Sequence, residues 1–207
     1  MRKIITTTFV TADGVMQAPG GPEEDTSGGF KHGGWMFPHG DDMTDGVMKG
    51  FLSLPFELLL GRRTYDIFAS YWPKASEDIF VTKPFNSTRK YVVSHNPLKL
   101  SWNNSVLITG DAVMEIRKLK EQDGPDLWVH GSGNLIQTLL KNHLIDVMHV
   151  WTFPVTVGDG KQLFAEGTQA QEFTLVDSKI STNGVIIATY EPAGALRTGS
   201  FADNAGN

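Results

Sequence analysis

Residues 126–140 read DLWVHGSGNLIQTLL: an apolar run, a Gly-Ser-Gly turn and a segment of helical period. Leu127, Trp128 and Val129 predict a strand covered on both faces, and Leu135, Ile136, Leu139 and Leu140 fall on one side of a following helix. Gly131 and Gly133 lie between the two. A turn without Cβ atoms lets a ligand approach the backbone, where the unpaired N–H groups of a first helical turn face it. An anion suits such a place best. The third glycine of a dinucleotide fingerprint is replaced by Ile136, and no Walker lysine follows. The competing reading is therefore a plain tight turn with Ser132 as helix N-cap.

Working outward, the segments before this turn alternate strand and helix. Lys3 to Thr11 is rich in Ile, Thr, Phe and Val and reads as a central strand. Asp41 or Asp42 caps a helix running to about Ser53, with Val47, Met48, Phe51 and Leu52 on its apolar face. Phe56 to Leu60 is a buried strand, followed at once by Gly61, Arg62, Arg63, Thr64 and Tyr65, which open a short helix. Two guanidiniums beyond the carboxyl end of a parallel strand suit phosphate, although surface arginines are the plainer reading. Lys90 to Ser94 and Ser105 to Thr109 are further strands, and Gly110-Asp111 begins a helix. Short links between these elements predict a mainly parallel α/β sheet with helices on both faces. After Leu144, Asp146 to Phe153 is rich in β-formers. Glu172 to Ile180 and Val185 to Glu191 flank Asn183-Gly184, so the last strands should be antiparallel at one edge. The domain is expected to span 1–192, with 193–207 a disordered tail.

Ala18 to Gly40 breaks this rhythm, with seven glycines and three prolines among 23 residues and Phe30, Trp35 and Phe37 between them. Long structureless loops in compact domains are often lids, and exposed aromatics are costly unless they cover something. Gly158-Asp159-Gly160 makes a second loop near the sheet. Asp45 lies early in its helix, where interaction with the helix dipole is the plainer role and a carboxylate at a pocket mouth the functional one.

The 207 residues are enough for one sizeable core without a second domain. The absence of cysteine removes disulfides, thiolate nucleophiles and cysteine-based zinc sites. His130, beside apolar strand residues and without a second ligand at zinc spacing, reads as a hydrogen-bonded core or rim histidine, and no metal is expected. A net charge of -5 argues against nucleic acid as a partner. No apolar run approaches a membrane span and no leader pattern is visible, so a cytoplasmic protein without membrane contacts is expected.

Four motifs in this order resemble the dihydrofolate reductase family, in the branch containing the C-terminal reductase domain of bifunctional riboflavin biosynthesis proteins. They are Thr11-Ala12-Asp13-Gly14, Leu60-Gly61-Arg62-Arg63-Thr64-Tyr65, Val92-Val93-Ser94 and Leu127-Trp128-Val129-His130-Gly131-Ser132-Gly133, and the likeness runs from about Arg2 to Glu191. The resemblance implies a three-layer dihydrofolate reductase-like fold that binds NADPH across the C-terminal edge of the sheet. Gly131, Ser132 and Gly133, with Asn134 and Leu135 following, would lie over the pyrophosphate. Gly61, Arg62, Arg63 and Thr64 would hold the adenosine-side phosphates, and Ser94 and His95 would line the adenosine pocket. Asp13, Gly14 and Val15 would contact nicotinamide. Residues 18–40 would form the mobile active-site loop, with Trp35, Phe37 and Phe51 at the lid and substrate. Asp45 is the nearest equivalent of the family's helix acid, with Asp13 and Asp41 as other catalytic candidates.

The function implied is hydride transfer from NADPH to a pterin-like, pyrimidine-derived or small carbonyl or imine substrate, related to riboflavin or folate metabolism. Non-catalytic nucleotide or pterin binding and a purely structural module are the alternatives. NADPH turnover separates the first from the second, and loss of NADPH binding leaves the third. A homodimer through part of 146–191, with Trp151 and Phe153 near an open edge, is the expected assembly.

Overall fold

A computed structural model describes residues 1–96 and 99–201 of the chain. Ile4–Thr11 forms β1, whose β-branched residues pack on both faces of the sheet. There follow α1 (Asp42–Leu52), β2 (Phe56–Gly61), α2 (Arg62–Tyr71), α3 (Thr82–Ser87), β3 (Lys90–Val93), β4 (Ser105–Ile108) and α4 (Ala112–Glu121). The quoted stretch supplies β5 (Asp126–His130) and α5 (Gly133–Lys141), and β6 (Val147–Phe153), β7 (Glu172–Ile180) and β8 (Ile186–Gly194) complete the fold.

One sheet takes the order β4-β3-β2-β5-β1-β6-β8-β7. Neighbours from β4 to β6 pair in parallel, whereas β8 and β7 add antiparallel. β1 is central, as its composition predicts. The chain leaves β2 toward β3 on one side and β5 toward β6 on the other. The crevice outside the carboxyl ends of β2 and β5 is thus a topological switch point, where open α/β sheets bind ligands.

Alternation along the strands sorts the core. Ile4, Leu59, Leu127 and Val129 face Ile116 and Leu119 of α4 and Leu135, Ile136, Leu139 and Leu140 of α5. On the opposite face Leu58, Leu60, Val92 and Trp128 meet Tyr65 of α2 and Phe85 of α3. A third cluster joins Trp151, Phe153 and Ile187 to Phe30 and Trp35, with Val47, Met48 and Phe51 of α1 packed against it.

That cluster alters the picture of residues 18–40. The segment folds onto the domain by two 3-10 turns, and Trp35 is only 8% exposed, its indole donating to the Gln17 carbonyl at 2.9 Å. The Gln17 side chain donates to the carbonyls of Asp25 and Ser27, both at 2.9 Å, and accepts from the Lys161 N–H at 3.1 Å. Phe30 and Trp35 thus anchor the loop in the core and leave its first part, Pro19 to Asp25, over the crevice.

The expectation that Trp151 and Phe153 sit near an open edge is corrected. β6 is an interior strand, and the two side chains are 3% and 2% exposed. The open edge is β7, seven of whose nine residues are exposed. At the carboxyl end β8 runs to Gly194, two residues past the expected boundary, and Glu172 pairs with Arg197. The expected tail in part lies outside the described residues, at 202–207.

Candidate functional site

Two chain segments meet at the switch point because Gly61 carries no side chain. A Cβ there would lie 3.3 Å from both Cβ and Oγ of Ser132. The Gly61 N–H donates to Ser132 Oγ at 2.9 Å, and that hydroxyl donates to Thr64 Oγ1 at 2.8 Å. Ser132 is therefore not the side-chain N-cap considered above. It adopts φ 64° and makes no cap hydrogen bond. Gly131 also has positive φ, at 56°. Two left-handed residues in succession curl the backbone ahead of α5, whose first-turn N–H groups lack intrahelical partners. Its Ser is spent on the neighbouring segment, so those donors face the cleft.

α2 adds an independent sign of an anion. Arg62 and Arg63 occupy its first turn, which contains no acidic residue. Cations at the positive end of a helix dipole are unfavourable by roughly 0.3–1 kcal/mol each unless an anion joins them. Arg62 pairs with Asp66 at 2.6 Å, one turn along, and Arg63 approaches Asp25 of the loop at 3.8 Å. Asp25 also pairs with Lys161; burial raises its pKa, but the contacts with Lys161 and Ser27 outweigh that and hold its carboxyl below the usual range.

One cleft of about 1530 Å³ runs from this turn to α1. It is large enough for a dinucleotide and a small substrate together. Of the residues singled out from sequence, Asp45, Phe37, Gly61, Arg62, Arg63, Thr64, Ser94, His95, Gly131, Ser132, Gly133, Asn134 and Leu135 line it. Asp13, Gly14, Val15, Trp35 and Phe51 do not. The Asp13 carboxylate accepts from Thr11 Oγ1 and from the N–H groups of Val157 and Gly158, the latter at 2.7 Å. These hydrogen bonds, that of Thr11 foremost, lower its pKa and commit it to bracing a loop. Phe51 stacks on His149 with centroids 4.3 Å apart, beneath α1.

The acids around α1 separate in the same way. Asp41 is the N-cap of a capping box with Thr44, and its other oxygen accepts from Thr182 Oγ1 at 2.8 Å. It ties the helix start to the β7–β8 turn. Asp45, one turn inward, lines the cleft with an exposed side chain.

Sequence reasoning missed several wall residues. Thr7, Thr8 and Phe9 of β1, Met16, Gln17, Thr44, Met48, Trp151 and Lys161 all border the cleft. Proximity of the 18–40 segment and of the Gly158–Gly160 loop to a site was legible, and Pro19 to Asp25 and Gly160 do line it. His130 is the buried rim histidine expected, 7% exposed and lining the cleft, but its hydrogen bonding is corrected: its Nε2 is buried and has no hydrogen-bond partner among the described residues.

Sheet order, antiparallel C-terminal strands and a crevice at the β2/β5 switch point define an α/β domain of the dihydrofolate reductase-like class. The family model for the RibD C-terminal domain matches residues 2–187, and the chain belongs to that family. It is related to the reductase of riboflavin biosynthesis. Among curated proteins, the uncharacterized protein YyaP of Bacillus subtilis is 29% identical over 194 residues, covering 91% of this chain and 94% of that protein. A dihydrofolate reductase from Enterococcus faecalis, complexed with NADP(H), superposes with a TM-score of 0.57 at 13% identity, over 92% of this chain and 96% of its own. A Thermotoga maritima diaminohydroxyphosphoribosylaminopyrimidine deaminase/5-amino-6-(5-phosphoribosylamino)uracil reductase gives 0.58 at 14% identity, over 93% of this chain and 57% of that one. Among the described residues no helix is long and apolar enough to cross a membrane.

Proposed function

We propose that the chain is an NADPH-dependent reductase that delivers hydride to a small carbonyl, imine or heterocyclic substrate. The observation that carries this reading is a single cleft joining an anion-binding turn, flanked by first-turn arginines, to a carboxylate on α1. The curled backbone at Gly131 and Ser132 and the open first turn of α5 suit a pyrophosphate, with Arg62, Arg63 and Thr64 beside it and Ser94 and His95 toward the adenosine. When bound, the reduced nicotinamide supplies a hydride. The Asp45 carboxylate relays the accompanying proton from solvent at the cleft mouth to the substrate, directly or through a water. The Pro19–Asp25 segment shields the cleft from water, and the apolar walls leave few competing donors. Turnover of NADPH with a matched substrate panel tests the reading, and folded protein that binds NADPH without oxidising it would reduce the chain to a binding protein.

Cofactor choice follows from the arginines, which we assign to the 2'-phosphate that NADPH carries and NADH lacks. Arg62→Ala is expected to weaken NADPH by about tenfold and leave NADH unchanged, the lower end for a charge-assisted contact because the side chain is half exposed. Gly131→Val should weaken both, since a β-branched residue resists φ 56° and fills the approach to the backbone. Calorimetry on proteins shown to be folded reads both effects. Equal affinity of the unmodified protein for NADH and NADPH would remove the 2'-phosphate assignment.

The reading includes a two-fold homodimer built on the C-terminal hairpin. Leu175, Val176 and Ile180 are exposed on the edge strand β7, and apolar residues on an open edge favour pairing with a second chain. Light scattering at micromolar concentration should give a two-chain mass. A one-chain mass defeats the assignment.

A further inference from the structure

Building on the reductase reading, we propose that the substrate half of the cleft takes an uncharged, phosphate-free planar carbonyl or heterocyclic compound, selected by Asp45, His130 and Trp151. The argument begins with where the cations are. Among the described residues, Arg62, Arg63 and Lys161 are the only lysines and arginines lining the cleft. Asp25 bridges Arg63 and Lys161, and Thr64, beside the arginines, contacts Ser132, so all three cations cluster at the anion-turn end. The opposite wall is built from Met36, Phe37, Thr44, Asp45, Met48 and Trp151. Its one charge is a carboxylate. Lys49, the sole cation of α1, is absent from the lining and lays its ammonium 4.9 Å from the centroid of the Phe80 ring.

A phosphate ester brings close to two negative charges and needs cationic or backbone donors. Placed against this wall it would meet Asp45 instead, and like charges in a partly enclosed site repel strongly. The neutral polar groups favour the same conclusion. Among the described residues, Trp151 Nε1 and His130 Nε2 are both buried and without hydrogen-bond partners, on strands that flank β1. An indole N–H can only donate, so its missing partner is an acceptor such as a carbonyl oxygen or ring nitrogen. Both nitrogens are covered by neighbouring atoms, so the rings must turn slightly as a ligand enters. Burial holds the His130 pKa down to about 3, with His149 contributing, so the imidazole meets a ligand uncharged. An imidazolium, which would have welcomed phosphate, is not available there.

The relative from Thermotoga maritima is described as acting on a phosphoribosylamino-uracil, so the proposal separates this chain from that specificity. Two matched pairs test it by calorimetry on the NADP⁺-saturated protein: 5-amino-6-ribosylaminouracil and dihydroneopterin, each with and without its phosphate. The phosphate-free member of at least one pair should bind about tenfold or more tightly than its phosphorylated partner. Trp151→Phe, which keeps the ring and removes the N–H, should weaken that ligand by about tenfold and leave NADP⁺ affinity unchanged. Equal or tighter binding of the phosphorylated members, or binding of neither pair, overturns the proposal. Failure to bind NADP⁺ or NADPH at all is a separate result and sinks the reductase reading itself.

Discussion

Asp45→Asn is expected to lower turnover by about 100-fold or more, the usual contribution of a positioned general acid, while NADPH affinity stays within about twofold. The substitution keeps the shape of the side chain and its place on α1. It removes the proton. The α1 helix should survive, because its start is held by the capping box of Asp41 and Thr44 and by the tie from Asp41 to Thr182, neither of which involves the Asp45 side chain. Two other acids near this helix have structural partners. Asp13 braces the loop at Val157 and Gly158, and Asp41 caps α1. Asp41→Ala should therefore act on stability, by about 1 kcal/mol for a lost cap, before it acts on chemistry. Steady-state kinetics beside direct cofactor titration separates the cases. Unchanged turnover in Asp45→Asn would return Asp45 to a helix-dipole role and require the proton to come from water.

The second large effect is acid sensitivity well above the carboxylate range. Burial lowers the pKa of His130 to about 3 and that of His149 to about 4, against 6.5 for a free imidazole. The unfolded chain therefore binds protons at these positions that the folded chain refuses. Their contribution to stability is complete above pH 6.5 and is lost as pH falls toward 4 and then 3. By pH 4.5 the loss should reach about 2 to 3 kcal/mol for each ring. Paired carboxylates act in the same direction only at lower pH, so the window between 6.5 and 4.5 isolates the histidines. Urea unfolding at pH 7 and pH 4.5 measures the sum, and His149→Gln should remove about half of it. Equal stability at the two pH values would show that water reaches both rings.

Much of the fold was legible because local chemistry and global topology agree. Alternating buried segments, Asn-Gly punctuation and Asp caps mark most of the elements within a residue or two, and β1, β2, β5 and α5 form where their patterns predict. The anion turn was legible for the same reason, since glycine spacing is a local property of the backbone. The site was less so. Asp13 stands in a motif position that resembles a ligand contact, yet its oxygens are taken by groups 144 and 145 residues away. Trp35 looked like a lid residue because it lies among glycines, but the space it fills is made by Phe153, far along the chain.

Sequence alone thus determined the strand and helix succession, the Gly131–Gly133 turn and the presence of arginines after β2, because each depends on neighbours a few residues apart. Tertiary structure decided which of four nearby aspartates enters the cleft, that Ser132 binds Gly61 and Thr64 rather than capping α5, and that the cations gather at one end of the site. It also decided that Trp151 is interior and that, among the described residues, His130 lacks a partner for Nε2. These properties are set by which surfaces meet across the sheet, through contacts between residues tens to more than a hundred positions apart, and no local pattern of residue types encodes them.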